Sequence, residues 1–251
     1  MEIREPLVKQ KDFMIALALL SRLPVQVEGF DRGARAAWAY PLVGLIIGGI
    51  AGTAGIIAHW IGFPPGLTAL ISLLFMVVLT GAMHEDGLAD TADGLWGGWD
   101  RVRRLEIMQD SRIGTFGVLA LFFAFSARWA ALWALFSVGS GTALSAILAA
   151  SLLSRATLPA LMAALPNARG SGLSHSTGPC PPETAWLAAA LAFALSILLL
   201  GFGAIPATLM AGMAALGIGI IASRKIGGQT GDILGAAQQV AEIFVLLLLV
   251  A

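Results

Sequence analysis

Asp, Glu, Lys and Arg are absent from residues 36–60, 66–83, 184–203 and 207–223. A helix that crosses a bilayer needs ~20 apolar residues, because the hydrocarbon is ~30 Å thick and each residue rises ~1.5 Å. These four stretches are therefore expected spans. Residues 115–138, 141–165 and 233–251 are equally apolar but hold one charge each, Arg128, Arg155 and Glu242. The pattern predicts an all-α, polytopic integral membrane bundle of about seven transmembrane helices, organised as one domain over residues 1–251. Residues 13–27 are shorter and contain Arg22, so an interfacial or re-entrant helix is expected there rather than an eighth crossing. Gly44, Gly48 and Gly52 form a G-x-x-x-G-x-x-x-G series, which lets helix backbones approach closely in lipid.

With seven spans, thirteen of the fifteen Lys and Arg residues, from Arg4 to Lys225, fall on one side, and the opposite connections carry no charge. Cytoplasmic loops are enriched in bases. The N-terminus and every polar loop are thus expected in the cytoplasm, in a cytoplasmic (inner) membrane of multi-pass type with the active face cytoplasmic. Residues 1–12 mix acids with bases and show no cleavage site, so no removable signal peptide is expected. Arg128, Arg155 and Glu242 sit near the middle of spans, where isolated charge is costly. Partnered structural charge facing the bundle interior is the first reading of them, and a substrate pocket the second.

Composition agrees: 58% hydrophobic residues, 12% charged and mean hydropathy +0.85 are far from a soluble domain. Zero net charge gives no global field to draw nucleic acid, and none is expected as a partner. The single Cys180 cannot form an intramolecular disulfide, and no zinc-type Cys/His spacing occurs.

The candidate chemistry lies in the cytoplasmic acidic loop after the second expected span. Residues 84–114 hold eleven of the thirty charges. Asp86, Asp90 and Asp93 are spaced i, i+4, i+7, which on a helix continuing from that span stacks three carboxylates on one face. Glu85 lies about 100° away. Carboxylates so close to one another and to lipid call for a cation, and hard oxygen ligands suit Mg²⁺ or Mn²⁺. The bland alternative is a solvated helix end. Arg101, Arg103, Arg104 and Arg112 follow within twenty residues, and acids beside guanidinium groups are what phosphoryl transfer requires. Glu85, Asp86, Asp90 and Asp93 are thus the metal candidates. A second polar cluster, residues 226–232, opens the last span. Its glycines and helix N-terminus offer an anion site, while Thr230 or Asp232 would equally serve as a helix cap. Residues 166–182, rich in Gly, Ser and Pro, read as a linker that could act as a lid. No H-E-x-x-H, P-loop or G-x-S-x-G signature is present.

Three runs resemble the cobalamin synthase family: Glu-Asp-Gly-Leu-Ala-Asp-Thr-Ala-Asp-Gly at 85–94, Arg-Leu-Glu-Ile-Met-Gln-Asp-Ser-Arg-Ile-Gly-Thr-Phe-Gly at 104–117, and Gly-Gly-Gln-Thr-Gly-Asp-Ile-Leu-Gly at 227–235. The Ser-Arg-Leu-Pro that ends residues 13–24 and Tyr-Pro-Leu-Val-Gly at 40–44 agree too. The resemblance implies an adenosylcobinamide-GDP ribazoletransferase that needs Mg²⁺ and takes adenosylcobinamide-GDP and α-ribazole or its 5′-phosphate. It also implies association with other late enzymes of corrinoid assembly; a homo-oligomer is left open. On this reading Asp86, Asp90 and Asp93, with Glu85, hold Mg²⁺ across the pyrophosphate. Arg104 and Arg112 contact phosphate, Asp110 or Asp232 orients the attacking hydroxyl or a second metal, and Gln229, Thr230 and Asp232 bind substrate.

Two competitors remain open at this stage. CDP-alcohol phosphatidyltransferases also use an Asp-rich motif and metal, but with a spacing and an Ala-Arg pair this loop lacks. A secondary transporter would explain the charges inside spans, yet no internal repeat supports it.

Overall fold

The computed structural model describes residues 6–251. Residues 1–5, with Arg4 and the reading of where the chain starts, lie outside the described residues. The described chain is helical, with no strand and one isolated bridge between Asn167 and Gln229.

A short helix α1 (Gln10–Leu20) comes first. At 11 residues it is too short to span a bilayer, which needs ~20. It is fastened through Asp12, whose carboxylate accepts from Arg32 Nε (2.8 Å), Trp38 Nε1 (2.9 Å) and the Lys9 backbone N–H (2.9 Å). Burial alone would raise the Asp12 carboxyl, but the hydrogen bonds from Arg32 and Trp38 outweigh it and hold the group below the usual carboxylate range.

A 3₁₀ turn over Gly33–Ala39 leads into α2 (Tyr40–Trp60), and α3 (Pro65–Thr80) returns against it. α4 (Met83–Gly97) and the short, about two-turn α5 (Arg101–Ile107) follow, then α6 (Thr115–Val138) and α7 (Ser140–Ala164). After the short α8 (Leu173–Thr177) come α9 (Pro182–Leu200), α10 (Ala204–Ile226) and α11 (Gly231–Val250).

α7 is the central post, with most of its residues buried, and it packs on α2, α9, α11, α10 and α6. The glycine series of α2 lies on it as the spacing predicts. A side chain at Gly44 would run into the Ser151 carbonyl, and one at Gly48 would sit 3.1 Å from Ser151 Oγ.

Among the described residues, five helical stretches are long and apolar enough to cross a membrane, and a bent pair makes a sixth. One of these stretches, the 45-residue Pro182–Ile226, holds both residues 184–203 and 207–223, which the sequence counts as two spans; as a straight helix it would measure about 68 Å. It is not straight: Gly201 leaves helical geometry at φ 58, ψ −133, and the two arms, α9 and α10, pack on each other and on α7.

The bent pair corrects one expectation. α4 does not continue the axis of α3. Gly81 (φ 64) and Ala82 (φ 59) are both left-handed, and the axis turns by 86°. The Gly81 and Ala82 N–H groups close on Val78 and Val77 carbonyls, which ends α3 as a left-handed cap does. The acidic "loop" is therefore mostly helix, α4 and α5.

Candidate active site

The 86° turn lays α4 across α11. The crossing is tight because both contact positions are glycine: a Cβ on Gly87 would stand 2.9 Å from the Asp232 carbonyl oxygen and 3.2 Å from the Gly235 Cα. This close approach brings the Asp86 and Asp90 side of α4 to the start of α11, where Asp232 sits. Asp86, Asp93, Asp232 and Arg169 all lie within electrostatic reach of Asp90.

The four residues grouped by the sequence as metal ligands divide three ways. Glu85 turns into the bundle, where its Oε1 accepts from Arg128 Nη2 at 2.9 Å and Gln239 Nε2 at 3.2 Å. Asp93 caps α6, accepting from the Gly114 and Gly117 N–H groups at 2.7 and 2.9 Å. Those donors are orphans of a helix N-terminus, and the carboxylate also meets the favourable end of the helix dipole. Only Asp86 and Asp90 remain turned to the Asp232 side. Among the described residues no three His, Cys, Asp or Glu side chains stand together as a ready metal cage.

A cavity of ≈ 280 Å³ opens here, with His84, Asp86, Arg169, Ser174, Thr230 and Asp232 among its polar lining. The segment after α7 roofs it. Ala168 N–H donates to the Gln229 carbonyl (2.8 Å), and Gln229 N–H donates to the Pro166 carbonyl (2.9 Å). Ser174 Oγ donates to Gln229 Oε1 at 2.6 Å, and Asn167 Nδ2 donates to Ser174 Oγ at 3.1 Å. Arg169 Nη1 pairs with Asp232 Oδ2 at 2.9 Å, while its Nε and Nη2 are buried and without a protein partner. Thr230 is the N-cap of α11, its hydroxyl accepting from Ile233 N–H at 3.3 Å. The residues 226–232 thus cap a helix and line the cavity at once, and Gln229 holds the roof.

The arginines expected to meet phosphate do not reach this cavity. Arg104 spends its guanidinium on the carbonyls of Gly98 (3.0 Å), Trp99 (3.1 Å) and Lys225 (3.0 Å), and Arg101 on Ile226 (2.8 Å) and Ala168 (3.2 Å). Lys225 and Ile226 end α10, where carbonyls lack helical partners, so these arginines bind α5 to that helix end. Arg112 pairs with Asp110 at 2.7 Å and is 87% exposed. The Arg112 hydrogen bond holds the Asp110 carboxyl down at about 2. Neither residue lines the cavity.

Beneath the cavity the charges inside the helices are paired. Arg128 bridges Glu85 and Glu242 (2.9 and 3.1 Å), and Arg155 stands 3.8 Å from the second oxygen of Glu242. Gln238 adds a 2.7 Å hydrogen bond to Glu242. Two acids and two bases balance, which is what burial of charge demands. Sequence reasoning passed over Arg169, one base in the stretch read as a linker, and the first turn of α4 adds His84 to the lining. His84 is 2% exposed and its Nε2 has no partner.

The family model described as cobalamin-5-phosphate synthase matches residues 12–250. The adenosylcobinamide-GDP ribazoletransferase of Bradyrhizobium diazoefficiens is 44% identical over 244 residues, covering 96% of this chain and 93% of its own. The protein of that name from Mesorhizobium japonicum is 44% identical over 239 residues, with 94% and 91% covered. That of Brucella ovis is 41% identical over 256 residues, with 95% and 96% covered. No solved structure gives a significant match.

Proposed function

The chain belongs to the cobalamin-5-phosphate synthase family, and from that premise we propose that it is an adenosylcobinamide-GDP ribazoletransferase acting in the inner membrane from the cytoplasmic face. It transfers the adenosylcobinamide phosphate of adenosylcobinamide-GDP to the 3′-hydroxyl of α-ribazole or α-ribazole 5′-phosphate. The hydroxyl oxygen bonds to the phosphorus that carries cobinamide, the bond from that phosphorus to the GMP portion breaks, and GMP leaves with the electron pair. The hydroxyl proton passes to a base.

The observation that carries this reading is the meeting of Asp86, Asp232 and Arg169 at one cavity, with Asp90 within electrostatic reach of all three. Three carboxylates beside one guanidinium leave the site anionic, and a pyrophosphate approaches it only if a cation joins. Asp86 and Asp90, one turn apart, with Asp232 opposite, suit Mg²⁺, which is held by one or two carboxylates plus substrate phosphates. Bound there, Mg²⁺ would neutralise the pyrophosphate and favour the departure of GMP. Asp232, oriented by Arg169 and Thr230, is placed to accept a hydrogen bond from the attacking hydroxyl. Beside that carboxylate Arg169 keeps Nε and Nη2 unpartnered among the described residues. Glu85 and Asp93 serve by fixing α4. Other late corrinoid enzymes as partners, and a homo-oligomer, remain part of the proposal without a structural feature of their own.

The test is GMP release by protein in nanodiscs, supplied with adenosylcobinamide-GDP and α-ribazole 5′-phosphate, with and without Mg²⁺. Release should require both substrates and the metal. Asp90→Asn should lower it at least about a hundredfold while leaving protein abundance unchanged; wild-type turnover by that variant would remove Asp90 from the site.

A further inference from the structure

We propose that the ≈ 280 Å³ cavity is the acceptor site, taking a nucleotide with an apolar aromatic base of benzimidazole type, and that Arg169 holds its 5′-phosphate. The proposal rests on the transferase reading above and assigns one of its two substrates to a place.

Size separates the substrates first. The cavity lies at the lower end of ordinary small-molecule sites, about 300–1,000 Å³, which suits a single nucleotide and excludes a corrin ring. The lining then separates one base from another. Its buried part is formed by Leu20, Leu158, Met162 and Leu234, together with the Tyr40 ring. A guanine placed among these aliphatic side chains would leave its amide and amino groups unpaired, a penalty for each group. A benzimidazole has no exocyclic hydrogen-bonding group and one free ring nitrogen. His84 Nε2, buried in the same lining and unpartnered, is available to that nitrogen.

With the base among the aliphatic side chains, the ribose stands at the polar side. The 3′-hydroxyl then faces Asp86 and Asp232, and the 5′-phosphate faces the roof. Among the described residues, Arg169 is the only Lys or Arg in the lining. One of its nitrogens is fixed on Asp232 at 2.9 Å, and Nε and Nη2, buried without partners, are left over. Two adjacent N–H donors on one guanidinium edge match two oxygens of a phosphate. The pairing with Asp232 links acceptor binding to the carboxylate nearest the attacking hydroxyl.

Binding is measured first, without donor or Mg²⁺, on the full chain in nanodiscs with α-ribazole 5′-phosphate, α-ribazole and GMP as probes. Arg169→Gln should weaken the phosphorylated nucleoside about tenfold or more, and the unphosphorylated one several-fold less. Arg169→Lys, which keeps the charge and loses the fork, should fall between. Met162→Trp, which fills the apolar part, should weaken both nucleosides alike. In turnover the same pattern should appear in KM for the acceptor and not in KM for adenosylcobinamide-GDP. Equal losses for both nucleosides in Arg169→Gln would make Arg169 a structural latch and overturn the proposal. GMP competing with the nucleosides, and weakened by Met162→Trp, would give the cavity to the donor and overturn it as well. Acceptor binding without GMP release under any condition would instead strike the transferase reading and leave the acceptor site standing.

Discussion

Arg128→Met tests the charge cluster beneath the site. Arg128 is 1% exposed and donates one nitrogen to Glu85 and another to Glu242. Removing it leaves two buried carboxylates facing Arg155 alone, which stands 3.8 Å from Glu242. Glutamine amides still reach both acids, but an amide does not cancel a charge. Breaking a buried pair from one side costs about 3–5 kcal/mol. At about 2–4 °C per kcal/mol for a chain of this size, the midpoint of thermal unfolding should fall by about 6–20 °C. The assay is tryptophan fluorescence in one detergent at one scan rate. Adding Glu85→Gln restores the balance of one acid to one base, Glu242 against Arg155. The double variant should therefore lose less than the sum of the singles, by about 1–3 kcal/mol. A single variant within about 2 °C of wild type, or strictly additive losses, would refute the account. The cycle also separates two roles for Glu85. A structural Glu85 makes Glu85→Gln unstable, whereas a cation ligand would make it stable and inactive.

Thr230→Ala removes the oxygen that caps α11 and should cost about 1 kcal/mol, lowering the unfolding midpoint by about 2–4 °C; Thr230→Ser should not. Gly87→Val drives a side chain into the Asp232 backbone and should abolish GMP release while lowering stability, as read by the assay and by size-exclusion of the detergent-solubilised protein. Arg112→Ala should leave GMP release near wild type, because its partner Asp110 and the Arg112 guanidinium stand outside the cavity and exposed pairs contribute little. The sign of the Asp110 shift sharpens this. A depressed carboxyl stabilises above its ordinary value near 3.9 and loses that contribution only as pH falls towards about 2. The pH profile of Arg112→Ala should thus overlay wild type at neutral pH, and a displaced profile would return Arg112 to the reaction.

The spans were legible because lipid allows few charges, and the charges inside them were read as partnered for the same reason. The acidic motif was legible as a candidate site because Asp86 and Asp90 repeat at helical spacing. What escaped the sequence was direction. Glu85, Asp86 and Asp93 fall within nine positions, yet their partners, Arg128, Asp232 and Gly114, come from three other segments. The turn between α3 and α4 escaped because it uses Ala82 at positive φ, a residue type with no preference for that region. Arg104 was expected at phosphate because guanidinium stands beside acids, whereas each of its three nitrogens donates to a backbone carbonyl, of Gly98, Trp99 or Lys225. Arg169 was hidden in a Gly- and Ser-rich stretch whose order depends on the bridge from Asn167 to Gln229, a pairing 62 residues apart that no local pattern announces.

The position of α11 has a consequence for how the molecule comes into being. This helix follows all the other described helices in the chain, yet it packs on α4, α6, α7 and α10 and carries Asp232, Gln238, Gln239 and Glu242. Until it arrives, the nascent bundle holds two guanidinium groups, Arg128 and Arg155, against the single carboxylate of Glu85. The residues 166–177 likewise have no Gln229 to close on. An unmatched charge in lipid keeps helices apart or hydrated, so the incomplete chain stays loosely assembled. α11 supplies both the second interior carboxylate and one wall of the cavity, so a polypeptide that stops short of it has neither.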